Sequence, residues 1–245
     1  MINIVIPMAG LGSRFSIAGF EKPKPFIDVN GKPMISRVLD NIGIKNAKFF
    51  LIAQKSHLEK ESIIVNEIEK KYDANFIPID GLTEGTACTV LHARKHINND
   101  SPLIIANSDQ IVDIDLSKFL MDCQNRKLDG SILCFEDPEK NPKWSFAKIN
   151  NENLVTEVQE KNPISKFATV GIYLFSKGKY FINSSIDMII NNERVNNEFY
   201  TCPVYNYLIN ENKRIGIYNI KYNQMHGLGT PEDLNNYLNY KKWKN

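Results

Sequence analysis

The chain has 245 residues, enough for one large α/β domain whose core needs no disulfide bonds. Its 30 basic and 28 acidic residues nearly balance, which argues against a nucleic-acid-binding protein with a strongly basic face. No apolar run approaches the roughly 20 residues that a membrane-spanning helix needs. No basic leader precedes the first apolar run, and none of the four cysteines has C-x-x-C spacing, so we expect a cytoplasmic protein without a zinc site.

Short apolar runs alternate with longer amphipathic stretches over the first half of the chain. The apolar runs predict four strands, and the amphipathic stretches predict three helices between them. The predicted strands are residues 2–8, 49–53, 75–79 and 102–106, and the predicted helices are residues 33–42, 58–72 and 86–97. This alternation predicts an α/β fold of three layers, Rossmann-like, with helices on both faces of a mostly parallel sheet.

Strands with short turns between them dominate from residue 130 onward. They are predicted at residues 130–135, 145–149, 155–159 and 168–175, followed by helices at 176–190 and 200–209, a strand at 215–220 and a helix at 231–240. This part predicts a mixed extension of the central sheet. No low-complexity segment or flexible linker interrupts the chain, so we expect a single domain over residues 1–245.

The first predicted strand runs directly into a glycine-rich turn from Gly10 to Arg14. Glycine lets the backbone approach a polyphosphate closely, with its N–H groups toward the negative charge, and Arg14 can add a charge-assisted contact. The turn lacks the third glycine of the dinucleotide fingerprint and the G-K-[ST] of a P-loop. An ordinary strand-to-helix turn is therefore the alternative.

Two lysines lie among the prolines of residues 21–26, in what we expect to be an extended stretch. Prolines restrict the backbone, so Lys24 can be held in a fixed position. An ammonium group near a phosphate would stabilise the charge that develops during its transfer. A basic surface loop is the alternative.

Residues 8–35 resemble the signature of the sugar-phosphate nucleotidylyltransferases. That signature reads A-G-G-x-G-[ST]-R, then P-K-x-[LM], then G-K-P-[ML]-[IL]; the chain carries A-G-L-G-S-R at 9–14, P-K-P-F at 23–26 and G-K-P-M-I at 31–35. The resemblance implies a GT-A-like fold and transfer of a nucleotidyl group from a nucleoside triphosphate to a phosphorylated small molecule, with Mg²⁺ as cofactor. About residues 1–125 would then form the nucleotide-binding half, and about 126–245 the acceptor-binding half.

The resemblance also assigns roles to single residues. Arg14 and Lys24 would be catalytic cations on the triphosphate, Lys161 a catalytic cation on the acceptor's phosphate, and Asp109 the metal ligand. The predicted nucleotide-binding residues are Met8, Ala9, Gly10, Leu11, Gly12, Ser13, Gly85, Thr86, Ala87 and Ser108. The predicted acceptor-binding residues are Ser145, Glu160, Gly171 and Glu198.

Two of these assignments also have a physical reason. Small residues at 85–87, where a helix is predicted to begin, would let a flat nucleobase lie against the backbone, although a simple helix cap explains them nearly as well. Asp109 follows a predicted strand, and the carboxyl ends of strands in an open α/β sheet face the ligand crevice. A carboxylate there can bind Mg²⁺ that bridges triphosphate oxygens.

The chain departs from the family pattern at three places. Gly227 stands where the family usually has an Asp that helps to hold a metal. The pattern therefore does not identify a second residue that would hold the metal together with Asp109. Trp144–Ser145 replaces an aromatic-Gly pair, and the Asn expected before the strand at 170–175 is absent. The last two changes lie in the predicted acceptor half, so the acceptor is less defined than the nucleotide.

The Lys-Pro-Lys-Pro stretch at 22–25 favours CTP by family analogy. The predicted acceptor is a sugar 1-phosphate, with phosphocholine or a phosphorylated amino acid or amide as other candidates, and the predicted role is capsule or surface-polysaccharide synthesis. One alternative is a nucleotide-sugar-dependent glycosyltransferase that uses Asp113 and Asp115 as a D-x-D metal site, although those residues could equally cap a helix at Leu116. Another is a catalytically inactive nucleotide-binding regulatory subunit. We expect neither nucleic acid nor membrane as a partner, and the sequence leaves a homodimer open.

Overall fold

Strands from both halves of the chain pair into one sheet in the computed structural model, which describes residues 1–244. The strands are β1 (Ile2–Pro7), β2 (Ala47–Gln54), β3 (Ala74–Ile79), β4 (Leu103–Ala106), β5 (Gln110–Val112), β6 (Gly130–Glu136), β7 (Ser145–Ile149), β8 (Val155–Glu160), β9 (Phe167–Phe175), β10 (Ile215–Ile220) and β11 (Met225–Gly227). Within the described range, nine of them form a sheet of order β10-β6-β9-β4-β1-β2-β3, in which β7 joins β8 to β9. The short strands β5 and β11 pair with each other.

Helices cover both faces of this sheet. They are α1 (Ser13–Ile17), α2 (Met34–Ile42), α3 (Lys55–Lys60), α4 (Ser62–Tyr72), α5 (Thr86–Leu91), α6 (Arg94–Ile97), α7 (Leu116–Asn125), α8 (Gly178–Ile190), α9 (Val204–Asn210) and α10 (Pro231–Lys244). Single 3₁₀ turns occupy Lys24–Phe26 and Tyr222–Gln224. Within residues 1–244, no helix has both the length and the apolar character needed to cross a membrane.

Along the order β10-β6-β9-β4-β1-β2-β3, one strand, β9, runs opposite to the other six. β1 runs parallel to β2 and to β4, and β2 runs parallel to β3, as the alternation of strands and helices predicts. β9 is antiparallel to both of its main neighbours, β4 and β6, while β6 is parallel to β10. The predicted α/β fold with a mostly parallel mixed sheet is therefore confirmed.

Side chains alternate between the two faces of the sheet along β1, and they show that the sheet separates two apolar cores. Ile4 and Ile6 pack into one apolar cluster, which also receives residues of α2, α4 and α7. Val5 points to the opposite cluster, which receives residues of α5, α8 and α9. All three side chains are fully buried, and burying such a side chain contributes about 1.5–3 kcal/mol. The centre of the sheet is buried on both faces, so a central strand such as β4 is a continuous apolar run.

Some predicted bounds were wrong in places that concern the cleft. The helix predicted at 200–209 begins only at Val204, because the segment before Pro203 is held in a turn by hydrogen bonds of the Phe199 backbone with Glu84 and Ala87. Residues 21–26 are not extended throughout, since a 3₁₀ turn begins at Lys24 after an extended Pro23. The helices predicted at 58–72 and 86–97 are each divided, at Glu61 and between α5 and α6.

Candidate active site

Three adjoining cavities open at the carboxyl ends of β1 and β4, and Asn107 and Asp109 line all three. In an open α/β sheet this edge is where ligands bind. The loop cavity has a volume of about 270 Å³ and is lined by Pro7, Met8, Gly10, Gly12, Lys24, Pro25, Thr86 and Ser108. The β9 cavity, of about 330 Å³, is lined by residues of β7, β8, β9 and the segment 200–202. The β11 cavity, of about 500 Å³, is lined by residues from Tyr222 to Asp233 together with Arg14 and Lys143.

The glycine-rich turn packs directly against Lys24. Gly12 has φ +64°, which L side chains rarely adopt, and a Cβ atom there would lie 2.9 Å from the Cβ of Lys24. Both the backbone conformation and the available space therefore require glycine. Gln54 at the end of β2 donates a hydrogen bond to the Ala9 carbonyl at 2.7 Å, which fixes the other side of the turn.

Lys24 and Asp109 form an ion pair at the junction of the cavities. The Nζ of Lys24 donates a hydrogen bond to Asp109 Oδ2, and the two side chains are 20% and 21% exposed. The Asp109 carbonyl accepts a hydrogen bond from the Leu228 N–H at 2.7 Å, so β11 is tied to the end of β4 at this residue. The pair places one cation and one anion beside the glycine turn, where a phosphate and a metal ion could each take one partner.

Asn107 crosses over Gly171 beside this pair. The Asn107 N–H donates to the Gly171 carbonyl at 3.0 Å. Gly171 has φ +89°, and a Cβ atom there would lie 2.1 Å from Asn107 Nδ2. Gly171, predicted as an acceptor-binding residue, thus lines the β9 cavity and also provides the space that the Asn107 side chain occupies.

The β9 cavity has a buried polar wall. Ser145 Oγ donates a hydrogen bond to Glu160 Oε2. Burial raises the pKa of Glu160, and the Ser145 hydrogen bond and the charge of Lys161 only partly oppose it. Burial also raises the pKa of the Tyr173 phenol well above its ordinary range. A half-buried carboxyl beside a hydroxyl is suited to bind hydroxyl or amide groups of a polar ligand.

The segments around Thr86 and Thr201 are joined above the same cavities. Thr86 Oγ1 accepts a hydrogen bond from the Thr201 N–H at 3.1 Å, and the Ala87 N–H donates to the Phe199 carbonyl at 2.9 Å. Thr86 lines both the loop cavity and the β9 cavity. Ala87 is fully buried in the core, so its predicted contact with a nucleotide would have to be indirect.

Several predicted residues do not line the three cavities of the described structure. Lys161 Nζ donates to the Tyr200 hydroxyl at 2.7 Å, and that hydroxyl donates to Glu198 Oε2. Tyr200 lines the β9 cavity, whereas Lys161 and Glu198 are exposed and are not part of its lining. Burial and the Glu198 hydrogen bond raise the pKa of Tyr200. Leu11 is 59% exposed and lines none of the three cavities. Ala9, Ser13, Gly85 and Ala87 also lie outside the cavity lining.

The structure separates the two acidic residues of the D-x-D alternative. Asp115 accepts a hydrogen bond from the Ser117 N–H at 2.9 Å and so caps α7. Asp113 accepts from the Tyr240 hydroxyl at 2.7 Å and lies 3.1 Å from His226 Nε2. Neither aspartate lines the three cavities. The helix-cap interpretation is therefore correct for Asp115, and the pair lacks the geometry of a shared metal site in the cleft.

Sequence patterns missed much of the cleft wall. Among the residues that line it without having been predicted are Asn107, Gln110, Lys143, Tyr173, Tyr200, Thr201, Cys202 and Asp233. Asn107 and Gln110 were detectable in principle, because they flank Asp109 at a strand end. Tyr200 and Thr201 carried no signal, because their place depends on the turn that replaces the first residues of the predicted helix.

A glycine turn and a Lys–Asp pair at the carboxyl edge of a parallel sheet are features of an α/β protein that binds a phosphorylated ligand. Comparison with protein families identifies the kind of α/β protein to which this chain belongs. The model of the nucleotidyl transferase family matches residues 4–214. The chain belongs to this family, and the resemblance expected from residues 8–35 is confirmed.

Relatives agree with this family, and a solved structure agrees with the fold. The chain is 30% identical over 176 residues to the bifunctional protein GlmU of Methanococcus aeolicus, a match that covers 71% of this chain and 40% of GlmU. It is 25% identical over 214 residues to the UTP–glucose-1-phosphate uridylyltransferase AglF of Haloferax volcanii, covering 79% and 85% of the two chains. The chain thus spans about two fifths of the GlmU length. A nucleoside-diphosphate-sugar pyrophosphorylase of Vibrio cholerae RC9 shares the fold, with a TM-score of 0.81, 24% identity and coverage of 96% and 99%.

Proposed function

We propose that the protein transfers a nucleotidyl group from a nucleoside triphosphate to the phosphate of a small acceptor, preferably a sugar 1-phosphate, and releases pyrophosphate. The observation that carries the proposal is the Lys24–Asp109 pair, which stands beside the glycine turn where the three cavities meet. Family membership supports the nucleotidyl transfer. The printed names of relatives such as AglF support a sugar 1-phosphate as the acceptor.

The cavities divide the substrates between them in this proposal. The triphosphate lies in the loop cavity, where the N–H groups near Gly10 and Gly12 and the ammonium of Lys24 face its negative charge. The acceptor lies in the β9 cavity, where Glu160 and Ser145 contact its polar groups. The two substrates then meet at Asp109, which lines both cavities.

The reaction needs no nucleophile from the protein. An oxygen of the acceptor's phosphate attacks the α-phosphorus, a new O–P bond forms, the bond from the α-phosphorus to the bridging oxygen breaks, and pyrophosphate leaves with that electron pair. The protein brings two anions together and offsets their repulsion. Lys24 stabilises the charge that grows around the α-phosphorus, and such electrostatic contacts contribute about 10²–10³ to the rate.

The donor set around Asp109 fits a magnesium ion. No three His, Cys, Asp or Glu side chains of residues 1–244 are grouped to hold a metal alone. However, the place where a Gly229 side chain would begin lies 3.2 Å from Asp109 Oδ2 and 3.8 Å from Asp233 Oδ2. Mg²⁺ is commonly held by one or two carboxylates together with substrate phosphates and water. Asp109 and Asp233 would hold it here, and the bound ion would neutralise charge on the triphosphate.

The choice of nucleotide and acceptor is the finer part of the proposal. CTP is supported only by the Lys-Pro-Lys-Pro stretch, whereas the matched relatives are named as uridylyl-, adenylyl- and guanylyltransferases. Phosphocholine and phosphorylated amino acids or amides stay as further acceptors because of Ser145 and the other departures in the acceptor half. Synthesis of capsule or surface polysaccharide in the cytoplasm is the corresponding cellular role.

Pyrophosphate release tests the proposal. The protein is incubated with Mg²⁺, each of the four common nucleoside triphosphates, and a panel of glucose 1-phosphate, N-acetylglucosamine 1-phosphate, phosphocholine and phosphoserine. We expect release that requires both a triphosphate and one of the sugar 1-phosphates. Binding of a triphosphate without release from any pair would contradict an enzymatic role, and release with phosphocholine or phosphoserine alone would contradict the sugar preference.

A further inference from the structure

A further cavity lies beside the cleft, at the end of β6. It has a volume of about 450 Å³ and is lined by the loop that follows β6 and by Tyr222. We call it the β6 cavity. Lys143 and Trp144 line it and also line the β9 and β11 cavities, so it adjoins the candidate active site. A pocket of this volume is large enough for a small organic ligand.

Aromatic rings form one wall of the β6 cavity. The ring of Phe135, which is fully buried at the end of β6, has its centre 5.4 Å from that of Trp144 and 5.4 Å from that of Tyr222. Phe135 does not line the cavity, but it supports the two rings that do. Tyr222 is 61% exposed. The wall therefore offers two aromatic rings that the core holds in place.

A buried carboxylate also lines the β6 cavity. Asp137 is only 8% exposed, and its Oδ2 accepts a hydrogen bond from the Asn141 N–H at 2.8 Å. Its Oδ1 has no hydrogen-bond partner among the described residues, yet it is not one of the enclosed atoms that lack a partner, so it is accessible. Because Asp137 lines the cavity, this oxygen is available to a ligand there.

The negative charges around the β6 cavity are only partly neutralised. Glu136 and Glu139 line it together with Asp137. Glu136 has a partner, because the Lys166 ammonium lies 3.0 Å from its Oε1. Neither Asp137 nor Glu139 forms an ion pair with any of residues 1–244. Two carboxylates are therefore free to attract a cation.

One ammonium group of the protein already occupies the aromatic wall. The Nζ of Lys143 lies over the Trp144 ring, 4.5 Å from its centre, which is the geometry of a cation–π contact. Lys143 is exposed and forms no ion pair with a carboxylate of the described residues. Its side chain can therefore leave the ring without breaking an ion pair, and the ring is then open to another cation.

These groups suit an organic cation better than a metal ion. No three His, Cys, Asp or Glu side chains in the described part of the chain are grouped to hold a metal. Calcium and magnesium need several oxygen ligands at short distance. An alkylammonium group instead combines contact with an aromatic ring and attraction to a carboxylate, as in the aromatic sites that bind quaternary ammonium ligands.

We propose that the β6 cavity binds a ligand with an organic ammonium group, which replaces the Lys143 ammonium on Trp144 and is attracted by Asp137 and Glu139. The group has two possible sources. It belongs to a separate small amine, or it is the far end of the acceptor, since Trp144 lines both this cavity and the β9 cavity. The site is independent of the proposed reaction, because binding there requires no nucleotidyl transfer.

Binding of tetramethylammonium tests the site without turnover. Saturation-transfer NMR of its methyl protons measures the affinity, with sodium chloride keeping the ionic strength constant. We expect Asp137→Asn to weaken binding about tenfold, because it removes the buried charge that faces the cation. The asparagine keeps an oxygen for the Asn141 N–H, so the loop should stay folded. Glu152→Gln, an exposed residue outside the lining of the cavity, should leave binding unchanged.

Variants of the loop lysines test whether Lys143 occupies the same place as the ligand. Lys143→Met should strengthen tetramethylammonium binding about threefold, because the competing ammonium is gone. Lys140→Met is the matched control: this lysine is exposed on the same loop but does not line the cavity, so its loss should have a smaller effect. Trp144→Phe should keep more of the affinity than Trp144→Leu, because only phenylalanine retains an aromatic ring.

Competition distinguishes the two sources of the ammonium group. If it belongs to the acceptor, phosphocholine should displace tetramethylammonium, bind more tightly than it does, and lose affinity in Asp137→Asn. If it belongs to a separate amine, tetramethylammonium should bind together with α-D-glucose 1-phosphate. Either result supports the site. No binding of tetramethylammonium to the parent protein, parent-like binding in Asp137→Asn, or equal gains in Lys143→Met and Lys140→Met would overturn it. Binding that depends on Asp137, with no pyrophosphate released from any substrate pair, would support the site and refute the proposed reaction.

Discussion

The carboxylates of Asp109 and Asp233 face each other across Gly229. A Cβ atom at Gly229 would lie 3.2 Å from one Oδ2 and 3.8 Å from the other. Asp233 also lies close to the departure at Gly227, because a Cβ atom at Gly227 would be 3.8 Å from Asp233 Cγ. Asp233 therefore occupies the region that an aspartate at position 227 would reach. At the same time it accepts a hydrogen bond from Thr230 at the start of α10.

This arrangement predicts how the metal affinity responds to substitution. Asp233→Asn should weaken Mn²⁺ binding in the presence of CTP or UTP by about tenfold, a loss typical of removing one group that supports a metal. Gly227→Asp in that background should restore the affinity, because it returns a carboxylate to the same region. Electron paramagnetic resonance of free Mn²⁺ measures both changes without turnover.

The control for the metal prediction is Glu232→Gln, which changes the neighbouring carboxylate of the same cavity. It should leave Mn²⁺ binding nearly as it is. If the Asp233 and Glu232 variants weakened binding equally, only the general negative charge of α10 would matter, and Asp233 would not be a ligand.

Lys24 is predicted to contribute to rate far more than to folding. Lys24→Ala should lower kcat about 10²–10³-fold, the usual loss when one preorganised charge is removed from a transition state. Its melting temperature should change by only a few degrees, because the ion pair with Asp109 is partly exposed. Lys22→Ala is the matched control: that lysine is 51% exposed and its Nζ lies 3.9 Å from Glu61. Near-normal turnover of Lys24→Ala would rule out its catalytic role.

The crossing of Asn107 over Gly171 predicts a stability difference between two glycine substitutions. Gly19 has φ +86° with open space around it, whereas Gly171 has φ +89° and Asn107 in the way. Gly19→Ala should therefore cost about 1–2 kcal/mol of unfolding free energy for backbone strain alone. Gly171→Ala should cost more, because the Asn107 side chain must also move. Urea denaturation compares the two, and equal losses would show that the contact with Asn107 is unimportant.

The burial of Glu160 predicts a specific dependence of the protein's stability on pH. Its folded-state pKa lies above the ordinary value of 4.5 because of burial, so the folded protein holds this proton more tightly than the unfolded chain. The contribution of Glu160 to the free energy of unfolding is therefore fully present at a pH below the ordinary pKa of 4.5, and it is lost as pH rises through the folded-state pKa. Glu160→Gln should remove this loss, so the variant should gain stability relative to the parent as pH rises from 4.5.

Urea denaturation at a series of pH values measures the difference between the parent and Glu160→Gln. Glu152→Gln, at an exposed turn residue, is the control for the general effect of removing one charge. A difference for Glu160→Gln that does not change with pH would contradict the burial effect. In the same variant, the acceptor KM should rise if Glu160 contacts the acceptor.

The sequence predicted the parallel part of the sheet because periodicity is a local property. β1 is apolar except for Asn3 and is buried on both faces, and such a run can be recognised without knowing its neighbours. The glycine turn and Lys24 follow it closely in the chain, so their proximity could be inferred as well. The 3₁₀ turn at Lys24–Phe26 could not, because both an extended chain and a turn are compatible with prolines.

The acceptor side depends on contacts between distant segments, and there the sequence was less informative. β5 and β11 have three residues each, too few to show a period, and their pairing joins residues more than 110 positions apart. The motif predicts that Lys161 belongs to the acceptor site, but the direction of its side chain is set by a hydrogen bond to Tyr200. The position of Tyr200 in turn follows from the turn before Pro203.

The pairing of β5 with β11 has a consequence for synthesis of the protein. A nascent chain that has reached β10 contains all the strands of the large sheet, but one wall of the cleft is still missing. The segment from Met225 to Asp233 must arrive before Leu228 can bind the Asp109 carbonyl and before Asp233 can face Asp109. The loop cavity is lined by residues 7–109 alone and is complete before this segment arrives, whereas a metal ion held by both Asp109 and Asp233 stabilises only a chain that has closed this last contact.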